Sequence, residues 1–83
     1  MKEGVVTGAV WATKKAPGLT GQSLLRVKVD TTSLVAADLV GAGRGDRVLV
    51  TQGSGARTEG PGLPVDAAIV AILDEQEEQN DSQ

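Results

Sequence analysis

Acid–base and nucleophilic catalysis need a group that titrates near neutral pH, or a nucleophile with a base to activate it. The 83-residue chain contains no histidine and no cysteine. Catalysis would therefore fall to carboxylates, lysines or hydroxyls. The body carboxylates near apolar segments are Asp38, Asp46, Asp66 and Asp74. Each stands at the end of an expected strand, where a short acidic side chain holds the N–H groups of a turn. No pair of them has a spacing that specifies a site, so the inventory argues against an enzyme. The missing cysteines and histidines also exclude disulfides and most zinc sites, and no cofactor or metal is expected.

Glycine is the other chemistry-bearing residue here. Gly41 to Arg57 reads GAGRGDRVLVTQGSGAR, a glycine-dense turn, a short strand and a second glycine-dense turn. A phosphate cradle is the first reading to test. Gly41, Gly43 and Gly45 run as GxGxG rather than GxGxxG, and no GxxxxGK[ST] loop is present. A dinucleotide site also needs a helix directly after the glycines, whereas these lead into the apolar run Val48-Leu49-Val50. Arg44-Gly45-Asp46 spells a cell-adhesion tripeptide, but three residues recur by chance and a solvated turn is the reading adopted. Asp38, Gly41, Gly43 and Gly45 are candidates for an interface or for structuring the turn, with Asp38 as a local cap.

These residues must be positioned by a small frame. A chain of this length buries only roughly 60–65% of the surface its unfolded form exposes, so its core is marginal. Small folds offset that with disulfides, metal or oligomerisation; oligomerisation is what remains. Trp11 is the only aromatic residue, so the core must be built from Val, Leu, Ile and Ala. The formal charge of −3 is unevenly placed. Asp74, Glu75, Glu77, Glu78 and Asp81 sit in the last ten residues, leaving eight bases against six acids in the body. That excess is too weak to argue for nucleic acid. No apolar run is long enough to span a bilayer, and the start of the chain lacks a signal peptide's apolar stretch. A cytoplasmic location without membrane contact is expected.

The pattern along the chain is β. Val5 to Thr13 alternates two largely apolar or small sets, which predicts a strand covered on both sides, and Gly8 marks a bend or bulge. Lys14 to Gly21 is a turn region around Pro17-Gly18, with its two lysines solvated. Gln22 to Asp30 is a half-buried strand with Leu25, Val27 and Val29 inward. Asp30 to Ser33 turns, and Leu34 to Ala37 returns antiparallel. Asp46 to Thr51 is a fourth strand, and Thr58 to Pro64 a loop. Val65 to Asp74 is a closing strand that is apolar on both faces, and the second face predicts a neighbouring subunit as its cover. Glu75 onward is polar and acidic, and predicts disorder.

Several segments, in order, resemble one family. VTGAVWATK (Val6 to Lys14) and LTGQSLL (Leu19 to Leu25) resemble the start of EutN/CcmL proteins, the pentamer-forming shell proteins of bacterial microcompartments and carboxysomes. ADLVGAGRGD (Ala37 to Asp46), VLV (Val48 to Val50), GSGAR (Gly53 to Arg57) and PVDAAIVAILD (Pro64 to Asp74) are similar to its later segments. The chain departs from the family pattern at Gly55, where a second serine is usual, in a short Val29 to Leu34 connection, and in its acidic tail.

The resemblance implies a mainly β fold: a small five-stranded OB-like β-barrel with short helical segments over residues 1–74, followed by the tail at 75–83. It implies a structural, non-enzymatic role as a homopentamer closing the vertices of a polyhedral microcompartment shell, with hexameric shell proteins as partners. Gly53, Ser54, Gly55, Ala56 and Arg57 are then expected at the ring's pore or at a subunit interface. Copies of a loop converging on an axis leave little room for side chains, and Arg57 can fix such a loop by bidentate hydrogen bonding. The alternative is an OB-fold binding module for single-stranded nucleic acid or a small ligand. Such binders stack bases on aromatic side chains along a basic groove, and the chain offers one tryptophan.

Overall fold

In a computed structural model that describes residues 1–53 and 65–74, five strands close into a barrel. They are β1 (Lys2–Val10), β2 (Leu24–Val29), β3 (Thr32–Asp38), β4 (Arg47–Gln52) and β5 (Ala67–Ile72). Round the barrel the order is β1-β2-β3-β5-β4, with β4 closing onto β1. All neighbours are antiparallel except β3 and β5, which run parallel. The mainly β, OB-like barrel is as expected. Its helical part, among the described residues, is a single 3-10 turn at Pro17–Leu19, started by a proline whose fixed φ suits the first helical position.

Alternation puts one side of each strand inward. Val6, Val27, Val48, Val50 and Ile69 are the largest fully buried side chains, joined by Leu25, Val29, Ala36 and Ala67. These residues are aliphatic and mostly β-branched, which suits a tightly curved sheet. The waist closes at Gly4, where a Cβ would lie 2.7 Å from Val27 Cγ1 and 2.8 Å from the Lys28 carbonyl oxygen. Only glycine lets β1 approach β2 this closely. The bend expected at Gly8 is present: β1 slips register against β2 between Val6 and Gly8, leaving Thr7 as the extra residue. A second slip between Leu49 and Val50 leaves Val70 of β5 unmatched. Such bulges bend strands into small barrels.

Several boundaries differ from the sequence reading. The first strand was expected at Val5 to Thr13 but begins at Lys2 and ends at Val10. Lys2 and Glu3 pair with Val50 and Leu49, and Arg47 donates to Glu3 Oε2 from both Nε (3.1 Å) and Nη2. Ladder pairing and the ion pair therefore extend the strand through two charged residues. It stops at Val10 because its partner begins at Leu24, so Trp11 lies beyond the ladder. Nor is β1 covered on both sides within the chain, since Val5 and Thr7 face outward and are exposed. The β2–β3 turn is shorter than expected: Thr32 and Ser33 already pair with Val29 and Lys28, leaving Asp30 and Thr31 as the loop. Asp30 takes φ 55°, a left-handed conformation that Asp tolerates better than most residues.

The closing strand has apolar residues on both faces, but its first half is covered by its own chain. Ala67 and Ile69 enter the core, while Ala68 packs outside it against Ala37, under half-buried Leu24, Leu39, Val65 and Val70. This outer cluster replaces part of the cover that a neighbouring subunit was expected to supply. Ile72 stays 42% exposed.

Candidate functional site

The glycine-dense segment after β3 is organised by two carboxylates. Asp38 ends β3 and turns its side chain onto the following backbone. Its Oδ1 accepts the N–H groups of Val40, Gly41 and Ala42 at 3.1, 3.0 and 3.1 Å. Collecting three amides on one oxygen curls the chain tightly, and Gly41 takes φ 79° in that curl. Asp46 does the same from the far side, with Oδ2 accepting the Gly43 N–H at 2.8 Å. Gly45, at φ 90°, donates to the Val6 carbonyl at 2.8 Å, and Val6 donates back to the Asp46 carbonyl at 3.0 Å. The loop is thereby stitched to β1 ahead of β4.

Gly43 differs from its neighbours. Its φ is not positive, and an added Cβ would meet only Asp46 Oδ2, at 3.9 Å. Of the three glycines, Gly41 and Gly45 are the ones the backbone conformation requires. Within Arg44-Gly45-Asp46, Arg44 is exposed while Asp46 is half-buried and engaged with Gly43.

Two polar residues join this end of the barrel that local pattern did not single out. Gln22 donates from Nε2 to the carbonyls of Ser23 (2.9 Å) and Asp38 (3.1 Å). Lys15, expected to be solvated without a partner, donates from Nζ to the Gln22 carbonyl at 2.9 Å. Asp38 itself donates its N–H to the Ser23 carbonyl at 2.9 Å. The segment before β2, the end of β3 and the glycine turn are thus one hydrogen-bonded unit. Apart from the Gln22–Ser23 bond between neighbours, these contacts span 7 to 16 positions in sequence, which is why short motifs do not reveal them.

The second glycine turn starts at Gly53, which takes φ 66° and donates its N–H to the Asp66 carbonyl at 2.7 Å. That bond clamps the exit of β4 to the entry of β5. Ser54, Gly55, Ala56 and Arg57 lie outside the described residues.

The chemistry available is that of a scaffold. Asp38 and Asp46 each turn one carboxylate oxygen onto backbone amides, and among the described residues no group of three acids gathers to hold a metal. No described buried side-chain polar atom lacks a hydrogen-bond partner. Among the described residues the surface hollows include one of about 240 Å³ beside Trp11 and Leu24 and one of about 520 Å³ lined by Glu3, Val5, Thr7, Lys28 and Asp30.

Comparison with known proteins accords with that picture. The profile of the family described as "Ethanolamine utilisation protein EutN/carboxysome" matches residues 1–74. The bacterial microcompartment shell vertex protein PduN of Salmonella typhimurium is 44% identical over 82 residues, covering 83% of this chain and 90% of that protein. The carboxysome shell vertex protein CcmL of a Synechocystis species is 47% identical over 78 residues, covering 83% of this chain and 78% of its own. Among solved structures, the GrpN pentameric microcompartment shell protein from Rhodospirillum rubrum superposes with a TM-score of 0.83 at 39% identity. That match covers 93% of this chain and 98% of that one.

Proposed function

The chain belongs to the EutN/CcmL family and is a structural vertex protein of a bacterial microcompartment shell, not an enzyme; we propose how its turns and surfaces serve that role. The observation that carries the role is the 44–47% identity to named vertex proteins across the length of the barrel. It places the protein in the cytoplasm, as a component of a microcompartment shell, and five copies form its ring. A structural role agrees with the way Asp38 and Asp46 tie the glycine turn to the strands on either side of it.

Two finer statements belong to the proposal. The ring seats against hexameric shell proteins that form the flat facets, and it binds no nucleic acid. The segment Gly53, Ser54, Gly55, Ala56 and Arg57 lies at the pore or at a subunit boundary. What supports this placement is the glycine, serine and alanine content of the loop, together with the Gly53–Asp66 clamp that fixes where it leaves the barrel. Arg57 then holds the loop through a carboxylate or carbonyl of the adjacent copy.

Size exclusion with light scattering tests the ring, and a monomer at micromolar concentration would refute it. Arg57→Ala tests the loop. It should weaken the ring by more than the roughly 0–1 kcal/mol of an exposed ion pair, with the β signature of the barrel retained. Unchanged ring stability on dilution would reject an interface role for Arg57.

A further inference from the structure

Beyond Asp74 the chain continues for nine residues, 75–83, that lie outside the described part. They include Glu75, Glu77, Glu78 and Asp81, with no base and no apolar side chain. Burial cannot hold such a segment, so only charge can give it a place. Its starting point is fixed. Leu73 donates its N–H to the Arg47 carbonyl at 2.7 Å, and the tail leaves beside the first residue of β4.

That exit stands at one end of a cross-strand row. Arg47 pairs with Val5 on β1, and Val5 pairs with Lys28 on β2, where both Val5 and Lys28 are exposed. β5 and β1 both run antiparallel to β4, so they share one direction. A chain continuing past Leu73 therefore heads the way β1 heads, from Val5 towards Gly8, whose partner is Arg26. On that course it passes the glycine turn, which is bonded to Val6 and carries exposed Arg44. Arg26, Lys28 and Arg44 have no carboxylate partner among the described residues. The acids of this side lie the other way: Glu3, held by Arg47, and Asp30 just past the end of β2. From β5 to β2 is three strand spacings, about 14 Å. Nine extended residues reach about 30 Å.

We propose that the acidic tail folds back on its own barrel along the outer side of β1 and β2, with its carboxylates on Arg26, Lys28 and Arg44. The hollow of about 520 Å³ lined in part by Val5, Thr7 and Lys28 gives an extended backbone room beside these bases. Exposed ion pairs are weak one by one, but tethering keeps the tail's carboxylates at high local concentration. The contact offsets the excess of eight bases over six acids in the body and shields its basic side from other anions. It lies within one chain and does not depend on the ring.

The chain has no cysteine, so a nitroxide on Asn80→Cys is a unique probe. Amide signals of the spin-labelled protein are compared with those of the reduced sample at about 0.01 M and about 1 M salt, between which the screening length falls about tenfold. At low salt, Thr7, Arg26 and Lys28 should fall below half of their reduced-sample intensity and recover at high salt. Ala67 and Ala68, at the other end of β5, should stay sharp throughout. Arg26→Gln combined with Lys28→Gln should remove the salt-dependent part, with the barrel checked by circular dichroism. If that variant fails to fold, the salt series on the unaltered barrel still decides the matter.

Broadening centred on Leu73 and Arg47 that neither salt nor the double variant changes describes a free tail and overturns the contact. Rings co-assembled from spin-labelled copies and isotope-labelled copies separate one chain from the next. Broadening of Arg26 and Lys28 in those rings assigns the tail to a neighbour and also overturns it. A protein that stays monomeric refutes the ring reading alone, because the salt series reads the same contact in a single barrel.

Discussion

Gly4→Ala should be among the most damaging single-methyl changes this barrel can receive. Gly4 is buried on the inner side of β1, paired with Val48. The added methyl carbon would lie 2.7 Å from Val27 Cγ1, 2.8 Å from the Lys28 carbonyl oxygen and 2.9 Å from Val29 Cγ2. None of the three can yield cheaply. Val27 is fully buried, Val29 is 6% exposed, and the Lys28 oxygen is backbone within the β1–β2 ladder. Overpacking costs about 1–3 kcal/mol, and three simultaneous contacts place this case at the upper end. Replacing glycine also restricts the unfolded chain, which returns about 0.4–1 kcal/mol. The net loss is about 2 kcal/mol, or roughly 8–16 °C in Tm for a domain of this size. Far-UV circular dichroism melts at fixed protomer concentration measure it, since assembly makes Tm concentration-dependent. Gly8→Ala is the matched control. Nothing lies within 4 Å of its added carbon and its φ is not positive, so Tm should hold or rise slightly. If the two variants melt within about 3 °C of each other, the tight-waist argument fails.

Asp38→Ala should cost about 1–3 kcal/mol, because three amides lose a charged acceptor, one of them part-buried. Asp38→Asn, which keeps an oxygen in place, should recover much of the loss, and equal melting of the two variants would remove the carboxylate from the account. Glu3→Gln should change stability by less than about 1 kcal/mol, since the Arg47–Glu3 pair is 39% and 52% exposed; a larger loss in chemical denaturation would show a stronger coupling. Deleting residues 76–83, which carry no apolar side chain, should leave ring mass unchanged by light scattering, and loss of the ring would show that the tail docks on a neighbour. Filter binding of single-stranded oligonucleotides at low salt should show no salt-dependent affinity, and a steep salt slope would reopen the binding-module reading.

The period-2 signal in β2 was legible because each inward residue alternates with a charged or polar one, and Leu25, Val27 and Val29 are the buried set. The bulge beside Gly8 was legible for a similar reason, as a glycine inside a strand has few other uses. Strand ends were harder. Lys2 and Glu3 carry no strand signal of their own, and their pairing is imposed by β4 some 45 residues later. Trp11 reads as part of the first strand because aromatic residues favour sheets, but the ladder ends where β2 begins. Among the site residues, the glycine density of 41–45 is visible in the sequence. That Gly41 and Gly45 need left-handed backbone while Gly43 does not depends on which amide meets which carboxylate oxygen. Lys15 and Gln22 carry no local mark, because their acceptors are carbonyls brought near by the barrel.

The placement of order and exposure suits a vertex protein. One end of the barrel is fixed by Asp38, Gln22 and Lys15, which join three connecting segments with side-chain hydrogen bonds rather than apolar mass. That economy of volume matters where several copies must approach one another closely. The core is a single layer of aliphatic side chains within five strands, too small to leave a wide stability margin. A second apolar cluster lies outside the barrel, around Ala37 and Ala68, and its half-buried rim of Leu24, Leu39, Val65 and Val70 has area still to remove from water. Were a neighbouring copy in the ring to cover that rim, burial at about 25 cal/mol per Å² of apolar surface would stabilise both the subunits and their contacts. Assembly and subunit stability would then be coupled. A substitution on the outer apolar face should lower Tm most where the ring is populated and least at protomer concentrations that favour the monomer. A Tm change independent of concentration would instead place the effect within the single barrel.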